Sequence, residues 1–242
     1  MKKLEEILKK LESITPERRR IAKMFKTYTE KAIKEFPVAY VPVGSLEWHG
    51  RHLALGNDTI KAHAILIRTA QKYGGVVVPG TYWGHMAHWK PGCHPGLSAN
   101  LVDQLYTEIF KGLVTVGFKV VIGVTGHDVK EQVASLQKGV EAISADGKAA
   151  GFAMMEGSLN EDDPDVGMDH AAKWETSYLT VLRPDLVDME RIQHEDLESE
   201  PGRKEAGIGG LDPRIHASKE VGEKAIGLMV DKIGEKARGL LA

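Results

Sequence analysis

Short apolar runs closed by glycine or a polar turn alternate along this chain with segments whose apolar residues recur at helical spacing. Val38 to Val43 is the first such run and ends at Gly44; Val76 to Val78, Phe118 to Val124 and Gly151 to Met155 follow. Between them, helices are predicted from Asp58 to about Lys72, from Leu101 to Val116 with Leu105, Ile109 and Leu113 on one stripe, and from Glu131 to about Ser144. The strands read as nearly continuous apolar runs, not as alternating ones, which fits strands buried on both faces. Strands of that kind, each followed by a helix, pack as a parallel sheet with helices on both sides. The expected fold class is therefore α/β, three layers in the order α/β/α around a mostly parallel central sheet.

The flanks extend this scheme. Leu4, Ile7, Leu8 and Leu11, then Thr15-Pro16 as a cap and first helical residue, predict N-terminal helices within residues 1–35. Ile226, Met229, Val230, Ile233, Ala237 and Leu240 predict a closing helix. Residues 193–213, with Pro201-Gly202 and Gly209-Gly210, are expected to be an irregular loop or an oligomer arm. No linker divides the chain, so residues 1–242 are expected to form one domain.

Charge and cysteine usage remove several function classes. Thirty-two basic residues nearly cancel thirty-four acidic ones, and without a basic block nucleic acid is not an expected partner. The longest apolar runs fall far short of the roughly 20 residues of a membrane span, so no membrane partner is expected. Met1 to Leu11 is rich in Lys and Glu and does not resemble a signal peptide, and Cys93 is the single cysteine. A cytoplasmic location is expected.

Candidate chemistry gathers around histidine. Six of the ten, His49, His52, His63, His85, His88 and His94, fall within the second fifth of the chain. Glu47 and His49 stand two apart just beyond the first predicted strand, and extended backbone there would send both side chains to the same side. Asp58 opens the next helix, and His127 follows the third strand. All four lie outside the carboxyl ends of parallel strands, where open α/β sheets hold ligands. Two carboxylates and two imidazoles meeting in one cleft would suit Zn²⁺, Mn²⁺ or Fe²⁺. Spacing alone also permits His49 and His127 to bond backbone while Glu47 pairs with Arg51 at the surface.

The wording around these residues favours the first alternative. Val43-Gly44-Ser45-Leu46-Glu47-Trp48-His49-Gly50-Arg51-His52-Leu53, followed by Gly56-Asn57-Asp58-Thr59, resembles the opening motif of the creatininase (creatinine amidohydrolase) family. Gly117-Phe118 leading to Thr125-Gly126-His127 is similar to that family's strand ending in Asn-Gly-His, and His170-Ala171-Ala172-Lys173-Trp174-Glu175-Thr176-Ser177 to its late His-Ala-Gly-x-x-Glu-Thr-Ser. The resemblance implies a creatininase-like metal hydrolase, commonly a homohexamer, holding two divalent ions between Glu47, His49, a bridging Asp58 and His127. It also implies that His170 shuttles a proton and that Glu175 is the acid beside it.

Departures bear on the second ion and on the substrate. Creatininases proper carry a Glu two residues after the third-motif histidine, where this chain has Val129 preceded by Asp128. Either Asp128 or Glu175 substitutes, or the second ion is weakly held. The tryptophan that covers substrate in the creatine-forming enzymes is Val166 here, and residues 83–96 are unusually rich in His and Trp. Substrate contacts are expected from His85, His88, Lys90 and Asp128. The expected reaction is ring opening of a small polar cyclic substrate, with metal-activated water attacking a ring carbonyl, most simply in a cyclic amide. The alternatives are hydrolytic C–C cleavage of a cyclic diketone such as a diketo-inositol, in carbohydrate or inositol catabolism, and a non-catalytic metal-dependent binder of a small ligand.

Overall fold

The computed structural model describes residues 26–85, 96–145 and 147–242. The expected helices before residue 26, and His88, Lys90, Cys93 and His94, lie outside the described residues. Helix α1 (Lys26–Glu35) leads into β1 (Val38–Val43), α2 (Asn57–Tyr73), β2 (Val76–Val77), α3 (Ala99–Val116), β3 (Val120–Thr125), α4 (Lys130–Ser144) and β4 (Ala150–Met155). Helices α5 (Lys173–Leu182), α6 (Glu200–Ala206), α7 (Pro213–His216) and α8 (Lys219–Leu241) complete the chain. Among the described residues, no helix is long and apolar enough to cross a membrane.

Among the described residues the four strands are parallel, in the order β2-β1-β3-β4. Successive strand side chains leave opposite faces of the sheet, and two cores result. Val38, Tyr40, Ile122 and Val124 pack against α2, α5 and α8 through Ile65, Leu66, Tyr178, Ile226 and Met229. Ala39, Val41, Val43 and Val121 pack on the other side against α3 and α4 through Val102, Tyr106, Phe110, Leu136 and Val140. The three-layer α/β/α expectation is met.

The strand order creates the site. From β1 the chain moves outward to β2 by way of α2, whereas from β3 it moves the opposite way to β4 by way of α4. The two connections diverge above the carboxyl ends of β1 and β3, the place where open α/β sheets form a ligand crevice. Those ends are level, because Val43 pairs with Thr125.

Residues 193–213 are not wholly irregular. Ser199 accepts a hydrogen bond from the Gly202 N–H, Pro201 sits in the first turn, and Gly207 closes α6 with φ +70°. Leu197, Ala206 and Ile208 are buried with Leu53, Ala171, Leu179 and Ile192 in a third cluster, so this stretch packs onto its own chain.

Candidate metal centre

Two glycines bring the start of α2 against the ends of β1 and β3. A Cβ on Gly44 would stand 2.6 Å from the Asp58 Cβ, and one on Gly126 would stand 2.2 Å from the Asp58 carbonyl oxygen. Only bare backbone at both positions admits the first turn of the helix. Asp58 is thereby set between the loops that follow the two strands, and the Ser45 N–H donates to its Oδ2 at 3.3 Å. After Ser45 the chain makes an excursion closed by the Glu47 N–H donating to the Leu55 carbonyl, with the turn at Gly50 in left-handed conformation.

Glu47, His49, Asp58 and His127 converge there, each almost wholly buried. His127 Nδ1 lies 2.9 Å from Glu47 Oε2 and 3.1 Å from Asp58 Oδ2. His49 Nε2 lies 2.8 Å from Asp58 Oδ1 and 3.4 Å from Glu175 Oε2. Arg51 pairs with Glu195 at 3.0 Å; Glu47 faces inward, and the surface pairing that spacing alone allowed does not occur.

The donor set fits divalent cations. His49 Nδ1 is 3.0 Å from the Glu47 carbonyl oxygen, which accepts its proton and leaves Nε2 of the neutral ring as a lone pair. That lone pair confronts Asp58 Oδ1, itself without a hydrogen-bond partner. Two lone pairs at such range need a proton or a metal ion between them, and a backbone carbonyl fixing the outer nitrogen is the usual support of a metal-binding histidine. Donors around a tetrahedral ion with bonds of about 2.0–2.1 Å stand about 3.3 Å apart, against contacts of 2.8–3.4 Å here. Two donor groups share Asp58: Glu47 with Asp58 and His127, and His49 with Asp58 and Glu175, the donor atoms of each lying within 4.8 Å of one another.

Electrostatics agree with that fit. Burial acts to lower the His127 imidazole, but hydrogen bonds and charge from Asp58 and Glu47 outweigh it and lift the group to about 9. Burial likewise opposes protonation of His49, and the Glu175 and Asp58 carboxylates carry it well above the ordinary histidine range. A cluster that draws protons onto its imidazoles is one that would exchange them for a metal ion.

Glu175, on the first turn of α5, is ionised and held at both oxygens. Burial would raise its carboxyl, but Lys61 and then His49 pull it far below the usual carboxylate range. Its Oε1 is 2.5 Å from Lys61 Nζ, and its Oε2 accepts the Ala171 N–H at 2.6 Å. Ala171 has φ +51°, a conformation a non-glycine residue adopts at some cost. Lys61, fully buried, also donates to Glu156, which directly follows β4. Burial, incompletely offset by Lys61, raises Glu156 to about 7.

His170 stands over the same centre. Its Nε2 donates to the Trp48 carbonyl at 2.9 Å, so Nδ1 is the basic nitrogen, 3.9 Å from Glu47 Oε1. Its ring lies 4.5 Å from that of His49, and burial followed by the charge of His49 lowers its basicity. Gly209 clamps the backbone of His170 through two hydrogen bonds.

A cavity of about 240 Å³ opens over these residues, lined also by Asp128, Val129, Asp169 and Gly209. A single small polar ring suits this volume. Among the expected substrate contacts, Asp128 lines the cavity and is exposed, whereas His85 does not line it. His85 directs Nε2 to Ser135 Oγ at 2.8 Å and its N–H to Gln132, so it joins the loop after β2 to α4. Val166 belongs to the hydrophobic core and covers no part of the cavity. Lys61 and Glu156 are the buried charges that sequence reasoning missed.

Similarity to known proteins accords with this geometry. The family model described as Creatininase, creatinine amidohydrolase, matches residues 22–236. A creatinine amidohydrolase of Pseudomonas putida is 24% identical over 246 residues, covering 88% of this chain and 94% of that protein. A crystal structure of creatinine amidohydrolase (creatininase) superposes with a TM-score of 0.77 at 21% identity, covering 92% of this chain and 98% of that one. A structure designated creatininase Mn gives 0.76 at 21% identity with the same coverage. The match over nearly the whole chain, on a fold whose crevice gathers Glu47, His49, Asp58 and His127, makes this protein a member of the creatininase family.

Proposed function

We propose that this protein is a divalent-metal-dependent hydrolase that opens a small polar ring, with a cyclic amide as its substrate class. The observation that carries the proposal is Asp58, whose two oxygens each face a different histidine within 3.1 Å. In this reading Glu47, Asp58 and His127 hold one ion, and His49, Asp58 and Glu175 hold the other. Zinc, manganese or iron in such a pair would activate water and polarise a carbonyl. Support for Glu175 over Asp128 in the second set comes from burial: Glu175 is enclosed beside His49, whereas Asp128 is exposed at the cavity mouth.

The chain's own groups account for the remaining steps. His170 Nδ1 receives a proton and returns it to the departing nitrogen, its ring oriented by the Trp48 carbonyl. Asp128 meets the exposed edge of the substrate. A second reading, C–C hydrolysis of a hydroxyl-rich cyclic diketone, draws support from Asp128 and Asp169, two carboxylates on the cavity wall able to accept hydroxyl protons. Creatinine and a diketo-cyclitol, assayed side by side with Mn²⁺- or Zn²⁺-loaded protein, separate the two: enzyme-like turnover of creatinine supports the first, and turnover of the cyclitol alone supports the second. Fewer than two divalent ions per chain after loading would overturn the two-ion arrangement.

We also propose a cytoplasmic homo-oligomer. Leu55, Tyr82, Trp83 and Leu101, exposed by 38–48%, support association. A monomeric mass in solution would refute it.

A further inference from the structure

Lys61 lies on the same face of α2 as Asp58, three residues on, in a stripe continued by Ala62, Ile65 and Leu66. Its ammonium is fully enclosed and reaches two carboxylates, Glu156 at the end of β4 and Glu175 on α5. A buried lysine between two acids could serve the fold alone by neutralising charge. The use made of Glu175 points further.

Glu175 Oε1 is taken up by Lys61 at 2.5 Å and Oε2 by the Ala171 N–H at 2.6 Å, which leaves the side chain no alternative direction. In that posture Oε2 faces His49 Nε2 at 3.4 Å. If Lys61 were removed, Glu175 Oε1 would lose the donor that fixes it, and the side chain could turn away from His49.

We propose that Lys61 is a positioning residue for the second metal site, holding Glu175 aimed so that it serves as the third protein ligand beside His49 and Asp58. This rests on the two-ion reading above. It predicts that Lys61 governs one ion more than the other, because its ammonium bonds Glu156 and Glu175, and within the Glu47, Asp58 and His127 set it is felt by Asp58 through charge alone.

The test is Mn²⁺ titration of the metal-stripped full-length protein by calorimetry, with bound Mn²⁺ counted by electron paramagnetic resonance. Wild type should bind two ions. Lys61→Met should weaken one of them by about 10–100-fold, the range for loss of a group supporting a ligand, and leave the other within about threefold. Since Lys61→Met strands two buried acids, Lys61→Met with Glu156→Gln is measured as well and should show the same selective loss. Val129 lines the same cavity next to His127, so adding Val129→Glu to Lys61→Met should restore most of the lost affinity by offering a replacement carboxylate. A purely structural lesion would not respond to that change. Unchanged binding of both ions in the Lys61 variants, or equal weakening of both without rescue, overturns the role of Lys61 while leaving the two-ion reading intact. A single Mn²⁺ in wild type overturns both.

Discussion

Asp58 Oδ1 stands 2.8 Å from His49 Nε2, and Asp58 Oδ2 stands 3.1 Å from His127 Nδ1. One carboxylate thus joins the loop after β1 to the loop after β3, with the start of α2 wedged between them. Asp58→Ala should abolish binding of both ions together and lower turnover on the order of 10³-fold or more, since several kcal/mol of transition-state stabilisation would go with the metal. Metal analysis after gel filtration reads this directly. A variant that keeps one ion per chain at wild-type affinity would show that Asp58 does not bridge.

Replacing His170 should separate metal from chemistry. Its Nε2 is engaged with the Trp48 carbonyl and its Nδ1 is 3.9 Å from Glu47, beyond hydrogen-bonding range. His170→Ala is expected to retain both ions and lose about 10²–10⁴ in kcat, the usual contribution of a positioned proton carrier. Metal loss equal to that of Asp58→Ala would remove His170 from this role. Wild-type protein that binds ligand tightly but never turns it over would favour a binding module.

The sheet, the helices on its two faces and the four convergent side chains were legible because each depends on local pattern: apolar runs for β1 and β3, helical periodicity for α2 to α4 and α8, and position just past a strand end for Glu47, His49 and His127. Glu156 obeys the same positional rule, as it directly follows β4, and was missed because the acidic stretch after it reads as a solvated loop. The signal for Lys61 was a lysine on the apolar stripe of α2, but its partners are 95 and 114 residues away. His85, expected at the substrate, does not line the cavity, for the converse reason. Histidine crowding is visible in the chain, whereas the Ser135 that occupies its ring nitrogen is 50 residues distant. At seven residues, α6 is too short to show a period, although its Ser199 cap and Gly207 stop were present.

Acid sensitivity should trace in part to His52. Its Nε2 pairs with Thr176 Oγ1 at 3.0 Å, and burial, together with the charge of His49, lowers it to about 4. The unfolded imidazole titrates near 6.5, so between these values the unfolded chain binds more protons than the folded one. The contribution of a neutral His52 is therefore fully present above about pH 6.5 and is lost as pH falls toward 4, about 3 kcal/mol across that window. Urea unfolding of wild type and His52→Leu at several pH values isolates it as the difference between two slopes. Parallel curves from pH 6.5 to 4 would mean that His52 does not titrate there.

Docking of α2 onto the strand ends can be tested at Gly126. A Cβ there would lie 2.2 Å from the Asp58 carbonyl oxygen and 2.9 Å from its Cα, and backbone at the head of a buried helix has no rotamer by which to withdraw. Gly126→Ala should cost about 3 kcal/mol, the upper part of the range for overpacking, and should weaken metal binding because Asp58 is displaced with its helix. Gly112, within α3, meets nothing inside 4 Å of an added Cβ. Gly112→Ala should accordingly stabilise by roughly 0.5–1 kcal/mol through helix propensity and leave the metal untouched. Chemical denaturation of both variants, followed by metal analysis, makes the comparison. If Gly126→Ala behaved like Gly112→Ala, the start of α2 would not press against the end of β3, and the placement of Asp58 between the two histidines would lose its structural cause.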